Sequence, residues 1–330
     1  MEELLTAKEL LQQMDEEGRD RLRALWLSEY DREEREQIPL SAVQRRMTDS
    51  AALRSVLLGM SDEEWDTLGK IITAANHFYI PTNSDSFLDL LDMGYLYEPD
   101  EDSEEEGLQA VQELHDAVAR AKEEDGFPEK RKKRCWLLNC IRAALAIYGV
   151  FPFDLLRTMV LQKDGMSLSP GEFDAARKEM LVFQANFLYD KGFLFVRSID
   201  EDLLTDALKS WEEHPDCYYL PDEAAIKAND AMPFVLTDPQ IPIFLMRRLM
   251  DIEALEMKHI SVITYQTLGY LKSGIEDKEE AADALNSILE AVGATRSERR
   301  DIVRFTMKRI WPHIRGVLFH GYTREEYKKL

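Results

Sequence analysis

The sequence predicts a mainly α, multi-helical protein with one or two winged-helix-like modules carrying short β-hairpins. Three observations lead there. Apolar residues recur at helical spacing along most of the 330 residues. Capping residues and glycines divide that pattern into short helices. Two aromatic runs, Asn186–Tyr189 and Phe193–Val196, flank Asp190-Lys191-Gly192, which reads as a hairpin turn.

Residues 1–58 read as short helices, with Thr6 and Glu9 forming a capping box and Asp49 or Ser50 capping a later helix. Leu22, Leu25, Trp26 and Tyr30 share helical spacing, and Pro39 interrupts it. Between 59 and 99, Ser61 and Glu64 repeat the capping box, and Trp65, Leu68, Ile71, Ile72 and Ala75 line one face. A turn at Pro81–Ser84 precedes Phe87, Leu88, Leu90 and Leu91. Gly94 then ends that helix ahead of a short strand at Tyr95–Tyr97. The acidic loop Asp100–Glu106 would repel phosphate, so this first module is not expected to read DNA. A helix over Leu108–Lys122 and a linker ending at Gly126-Phe127-Pro128 complete the N-terminal part.

From 127 to 198 the expected order is three helices and a hairpin, the layout of a winged helix. The first helix follows the basic run and carries Trp136 through Tyr148, with Gly149 ending it. Pro152 suits the first position of the second, which runs through Val160. Ser169-Pro170-Gly171-Glu172 opens the third, with Phe173, Ala176, Met180 and Phe183 on one face. Beyond 198, helices are expected over Glu201–Trp211 and Asp222–Ala231. A loop marked by Pro233, Pro239 and Pro242 precedes a buried face of Ile243, Phe244, Met246, Leu249, Met250 and Leu255. Three more helices carry Ile260, Ile263 and Leu271, then Leu285, Ile288, Leu289 and Val292, then Val303, Met307, Ile310, Trp311 and Ile314.

Charge divides the chain as the patterns do. The net charge of -22 disfavours general affinity for nucleic acid or anionic membrane. Residues 1–126 hold 12 basic and 32 acidic side chains, 127–198 hold 12 and 7, and 199–330 hold 17 and 24. Three domains follow as expectations. Residues 1–126 form an acidic helical domain with a winged-helix-like part at 59–99, 127–198 a basic winged-helix-like module, and 199–330 a helical domain with a basic amphipathic last helix. Cys135, Cys140 and Cys217 have neither a disulfide framework nor metal spacing, as expected of structural thiols in a reducing cytoplasm. The acidic N-terminus does not read as a signal peptide. The longest apolar region, 135–161, is broken by Asn139, Arg142, Asp154 and Arg157, so no membrane span is expected.

Candidate contact residues for a partner or nucleic acid are Lys130, Arg131, Lys132, Lys133, Arg134, Arg177, Lys178, Lys191, Arg197, Arg300, Arg304 and Lys308. A nucleic-acid binder needs the first nine of these on one exposed face. Pairing with the acidic N-terminal third would instead consume them. The six histidines fit no HExxH or Cys/His pattern, and His313 with His320 near Trp311 is the nearest approach to a constellation. GxGxxG, Walker A and GxSxG patterns are missing from the sequence, so no cofactor, metal site or catalytic residue is assigned.

The stretches Ser61–Tyr97, Ala144–Val150 (ALAIYGV), Phe187–Pro221 (FLYDKGFLFV…YYLP) and Trp311–Glu325 (WPHIRGVLFHGYTRE) resemble segments of uncharacterised bacterial helical proteins. Some of those end in a cysteine-rich SEC-C zinc motif, whose cysteines do not follow here. The resemblance implies no activity and carries over no metal site. The expected function is that of a non-enzymatic cytoplasmic interaction or regulatory protein docking a protein partner. A nucleic-acid-binding regulator using 130–198 and 296–330 is the alternative, and an enzyme with a site assembled from distant residues the second.

Overall fold

Local hydrogen bonding sets where many of the helices begin. Thr6 with Glu9, Ser61 with Glu64 and Ser169 with Glu172 each form a reciprocal capping box, as the sequence predicts. Thr295 with Glu298 and Thr323 with Glu326 form two more. Asp15, Asp49, Asp200 and Asp277 cap further helices through their carboxylates. The computed structural model describes residues 4–27, 30, 32–73, 88–98, 107–180, 187–196, 199–230, 240–252, 255, 257–272 and 277–330. The expected turn at Pro81–Ser84 and the acidic loop at 100–106 lie outside these residues. The chain is mainly α, with two small sheets among the described residues.

In the N-terminal part, α1 (Ala7–Gln13), α2 (Glu16–Trp26), α3 (Arg32–Gln37), α4 (Leu40–Met47), α5 (Ser50–Gly59) and α6 (Asp62–Thr73) precede the short α7 (Leu88–Asp92). Strand β1 (Leu96–Tyr97) pairs antiparallel with β2 (Gln109–Ala110), and α8 (Gln112–Glu123) follows. The expected helix from Leu108 is therefore shorter, because 109–110 pair with 96–97. Leu10, Leu22, Trp26, Met47, Leu53, Leu57, Leu68, Ile71 and Leu114 fill one core. Tyr95 donates its hydroxyl to Met47 O at 2.9 Å and Trp26 its indole N–H to Met93 O at 3.1 Å. Gly94, at φ 73, ends α7 where a Cβ would press on Met47 and Leu22.

Helix α9 (Phe127–Tyr148) begins before the basic run, not after it. Phe127 and Pro128, expected in a linker, form its first turn, a position proline tolerates. After Gly149 comes a strand the sequence does not predict, β3 (Val150–Pro152). Pro152 starts no helix. It sits on an edge strand, where its missing N–H costs no ladder bond. Helices α10 (Leu155–Val160) and α11 (Pro170–Met180) follow, then β4 (Phe187–Asp190) and β5 (Phe193–Val196). The sheet order is β3-β5-β4, all antiparallel, with Val150 opposite Phe195 and Asp190 opposite Phe193. Lys191 at φ 45 and Gly192 at φ 91 make the two-residue hairpin turn, both in the left-handed region.

The remaining helices are α12 (Glu201–Glu213), α13 (Glu223–Asp230), α14 (Gln240–Leu249), α15 (Met257–Lys272), α16 (Lys278–Ala291), α17 (Arg296–Arg309) and α18 (Arg324–Tyr327). Pro242 falls in the first turn of α14 rather than in a loop. The face expected to be buried there is corrected. Ile241, Leu245, Leu249 and Ile252 are buried, whereas Ile243, Phe244 and Met250 are exposed. Ile260, Ile263, Leu268, Leu285, Leu289, Ile302, Met307 and Ile314 complete this second core.

The chain separates into two compact units. One holds 1–136 with 168–185, and the other 137–167 with 186–330. Residues 127–198 thus contribute to both. In the first unit α11 packs on α5, and in the second α12 packs on β3. Among the described residues no helix is long and apolar enough to cross a membrane.

Candidate functional site

The basic run is built into α9. Arg131 is 6 % exposed. It donates to Met60 O at 2.9 Å, pairs with Asp62, and holds its guanidinium 5.6 Å from the Trp65 ring centroid. That geometry removes Arg131 from any open contact surface. Lys130 reaches Glu124 at 2.7 Å, and Arg54 reaches the same carboxylate at 2.8 Å. Hydrogen bonds from Arg54 and then Lys130 hold Glu124 down at about 2. Lys133 pairs with Glu172 at 2.8 Å. Lys132 is exposed and Arg134 half-buried. Asp62 and Glu124 both belong to the acidic N-terminal 126 residues, so that part supplies counter-charges to Lys130 and Arg131.

The other predicted contacts lie on several different elements. Arg177 is half-buried on α11, 3.9 Å from Asp174. Lys178 lies on the same helix. Lys191 is exposed at the hairpin turn. Arg197 lies outside the described residues. Arg300, Arg304 and Lys308 are exposed on α17.

A dense polar cluster lies in the second unit, where Lys272, Arg315, His320 and Arg324 are buried, Lys272 meeting α9 and His320 meeting α12. Lys272 ends α15 and donates to Ala146 O and to Leu145 O, the latter at 3.3 Å. An ammonium there meets the negative end of the α9 dipole. Burial pushes this amine down to about 7. Arg315 donates to Gly321 O at 2.6 Å and to Glu326 at 2.8 Å, with its guanidinium 3.4 Å over the Tyr219 ring. Arg324 donates to Leu271 O at 2.9 Å beneath Trp311.

His320 is fully buried and stacks on Trp211, with centroids 4.1 Å apart. Its Nδ1 lies 2.6 Å from Cys217 O, which can only accept, so Nδ1 carries the proton. Nε2 is then the acceptor for the Ser210 hydroxyl at 2.9 Å. Trp211 donates to Val150 O at 2.8 Å, and Tyr148 donates to Tyr219 O. Tyr219 N donates to His320 O at 3.1 Å, and the Tyr322 hydroxyl to Tyr218 O at 2.8 Å. Gly321, at φ 77, lets this loop lie against Tyr148, whose ring would be 2.5 Å from an added Cβ.

Three of the quoted stretches therefore converge here: Ala144–Val150, the YYLP segment and the tail Trp311–Glu325. The nearest approach to a constellation in the sequence is His313 with His320 near Trp311. The ring partner of His320 is Trp211, and His313 is exposed. Ser210, Trp211, Lys272, Arg315 and Arg324 carry no sequence motif. The glycine- and aromatic-rich GVLFHGYT run is the one local signal that pointed to this place. The Ser210–His320–Cys217 chain has the order hydroxyl, neutral imidazole, orienting carbonyl, so it can accept a proton from the hydroxyl. Here the stacked, buried ring ties α12 and the 217–219 segment to the tail. Among the described residues no three of His, Cys, Asp and Glu converge as a metal site requires.

The pH response of this cluster has a defined sign. Burial, reinforced by His214 and opposed by the Cys217 carbonyl, lowers the His320 pKa below its ordinary value. In the unfolded chain an imidazole titrates near about 6.5. Below that pH the unfolded state binds the proton first, so stability is lost as pH falls from about 6.5 towards the folded pKa. Lys272 acts in a separate window: its lowered value costs stability as pH falls from about 10.5 towards about 7. Urea unfolding of wild type and His320→Asn between about pH 7 and 5 checks the first. The wild type is expected to lose more stability over that interval, and parallel curves would contradict the buried neutral imidazole.

Neither a family model, nor a curated protein, nor a solved structure matches the chain.

Proposed function

We propose that this chain is a non-enzymatic cytoplasmic interaction or regulatory protein that docks a protein partner through its helical surfaces. One observation carries the reading. Helices α14 and α15 pack against each other and bury Leu245, Leu249, Ile263 and Leu268, yet they also expose large apolar side chains. Phe244 is 44 % exposed and Val262 52 %, with Ile243 and Tyr270 also open, and Met250, just past the end of α14, is 52 % exposed. Several large apolar groups left in water on neighbouring helices favour a partner that covers them. Residues 127–198 are read as a winged-helix-like module used for docking. The hairpin β4–β5 and the sheet order β3-β5-β4 support that reading, while α11, the third helix of such a layout, belongs to the other compact unit.

The alternative is a nucleic-acid-binding regulator, favoured by the exposure of Lys132 and Lys191. One experiment separates the two. Wild type and the Phe244→Glu/Met250→Glu variant are crosslinked in the source cells, and the attached species identified. A protein adduct formed by the wild type and lost in the variant is the expected result. Adducts to nucleic acid retained by the variant, or no difference between the two proteins, would sink the docking reading.

A further inference from the structure

Helix α17 carries a row of cations along one ridge. Arg296, Arg300, Arg304 and Lys308 follow one another at intervals of four residues, and all four are exposed. Such a row runs inclined about 26° to the helix axis, with a rise of about 6 Å between members and about 18 Å end to end. Like charges at this spacing face each other and repel, so the row works against the helix that carries it. The opposite side of α17 carries the buried Ile302 and Thr306, Ile302 within the second core. The helix is thus held by packing and presents the repelling row outward.

Local carboxylates leave most of this charge uncompensated. Glu290 lies 2.5 Å from Arg299, which is not part of the row, and Glu298 serves the cap at Thr295. Asp301 lies 3.8 Å from Arg300 in an exposed, weak pairing. Among the described residues no carboxylate pairs with Arg296, Arg304 or Lys308. Arg309 extends the positive surface beyond the end of the row.

We propose that the α17 row is a docking edge for an acidic peptide segment in extended conformation. Alternate side chains of an extended chain lie about 6.6–6.8 Å apart on one side, close to the interval of the cations. Four alternating carboxylates would therefore meet four cations in register. Phosphates of a nucleic acid could also meet such a row. A polynucleotide, however, runs well past it and meets the field of a chain with net charge -22. A short acidic segment places its charge where the row is and nowhere else. The proposal rests on the reading of the chain as an interaction protein and names the chemistry of one partner segment.

The test is fluorescence anisotropy with the full chain, using a labelled peptide that alternates glutamate and alanine, at low salt and through a salt series. A glutamine–alanine peptide and a labelled oligodeoxythymidylate are run in parallel. The expected result is binding of the glutamate peptide that weakens with salt and exceeds that of both other probes. The variant Arg296→Gln/Arg300→Gln/Arg304→Gln/Lys308→Gln is expected to bind it at least about tenfold more weakly. A second variant, Lys209→Gln/Lys227→Gln, removes two exposed lysines elsewhere in the same unit and is expected to bind as the wild type does. Failure of the wild type to bind overturns the assignment, as does equal loss in both variants or tighter binding of the oligonucleotide. A failure here leaves the crosslinking result at α14–α15 standing, so the two readings fall separately.

Discussion

Trp211→Ala is expected to cost the C-terminal unit about 3–5 kcal/mol, the range for deleting a buried large aromatic side chain. Trp211 is almost fully buried and does three things at once. Its face stacks on His320, its edge meets Tyr148 with centroids 6.1 Å apart, and its N–H donates to Val150 O at 2.8 Å. Alanine removes the first two and leaves the carbonyl of a buried strand without that donor, which itself costs about 1–3 kcal/mol. Trp211→Phe keeps a ring on His320 but loses the N–H and part of the indole's volume, so it should recover roughly half of the loss. Urea unfolding followed by far-ultraviolet circular dichroism checks both. An alanine variant within about 1 kcal/mol of the wild type would show that the tail is held by something other than this ring.

Gly321→Ala is expected to cost about 2–5 kcal/mol. Two separate penalties combine. At φ 77 an alanine pays about 1–2 kcal/mol for the left-handed conformation. Its Cβ would also lie 2.5 Å from the Tyr148 ring and 2.7 Å from Ile147, and relieving such overpacking costs about 1–3 kcal/mol. Neither neighbour can yield cheaply, because Tyr148 and Ile147 are fully buried in the last turn of α9. Gly269 provides the control within the same unit. It lies in α15 with open space around an added Cβ, so Gly269→Ala should stabilise by about 0.5–1 kcal/mol. Equal and small effects at the two glycines would refute the close approach of the tail to α9.

The capping boxes at Thr6, Ser61 and Ser169 were legible because each is a bond between residues three apart. The hairpin was legible for the same reason: Lys191-Gly192 fixes the register of its two strands locally. The winged-helix-like reading drew on those signals, yet β3 escaped it. Val150–Pro152 is three residues long, and it is a strand only because β5 lies beside it.

Helix α14 shows the limit of periodicity. Apolar residues occupy 241, 243, 244, 245, 246, 249 and 250, so the pattern offers more than one face. The packing of α15 and α17 on this helix decides in favour of Ile241, Leu245 and Leu249. The buried cations lay further out of reach. The Lys272 ammonium finds its acceptor on Leu145, 127 residues earlier in the chain, and a backbone carbonyl carries no side-chain signal. Arg131 read as part of an exposed basic arm until α9 turned it onto Met60 and Asp62.

The sequence by itself determined the helical class, the helix starts marked by capping boxes, the central hairpin and the uneven charge, because periodicity, capping and charge are properties of neighbouring residues. Only the tertiary structure decided which apolar faces are covered, which cations are consumed and which stay open on α17. Those outcomes depend on groups brought together from distant parts of the chain, where burial and pairing set the cost of each side chain's position.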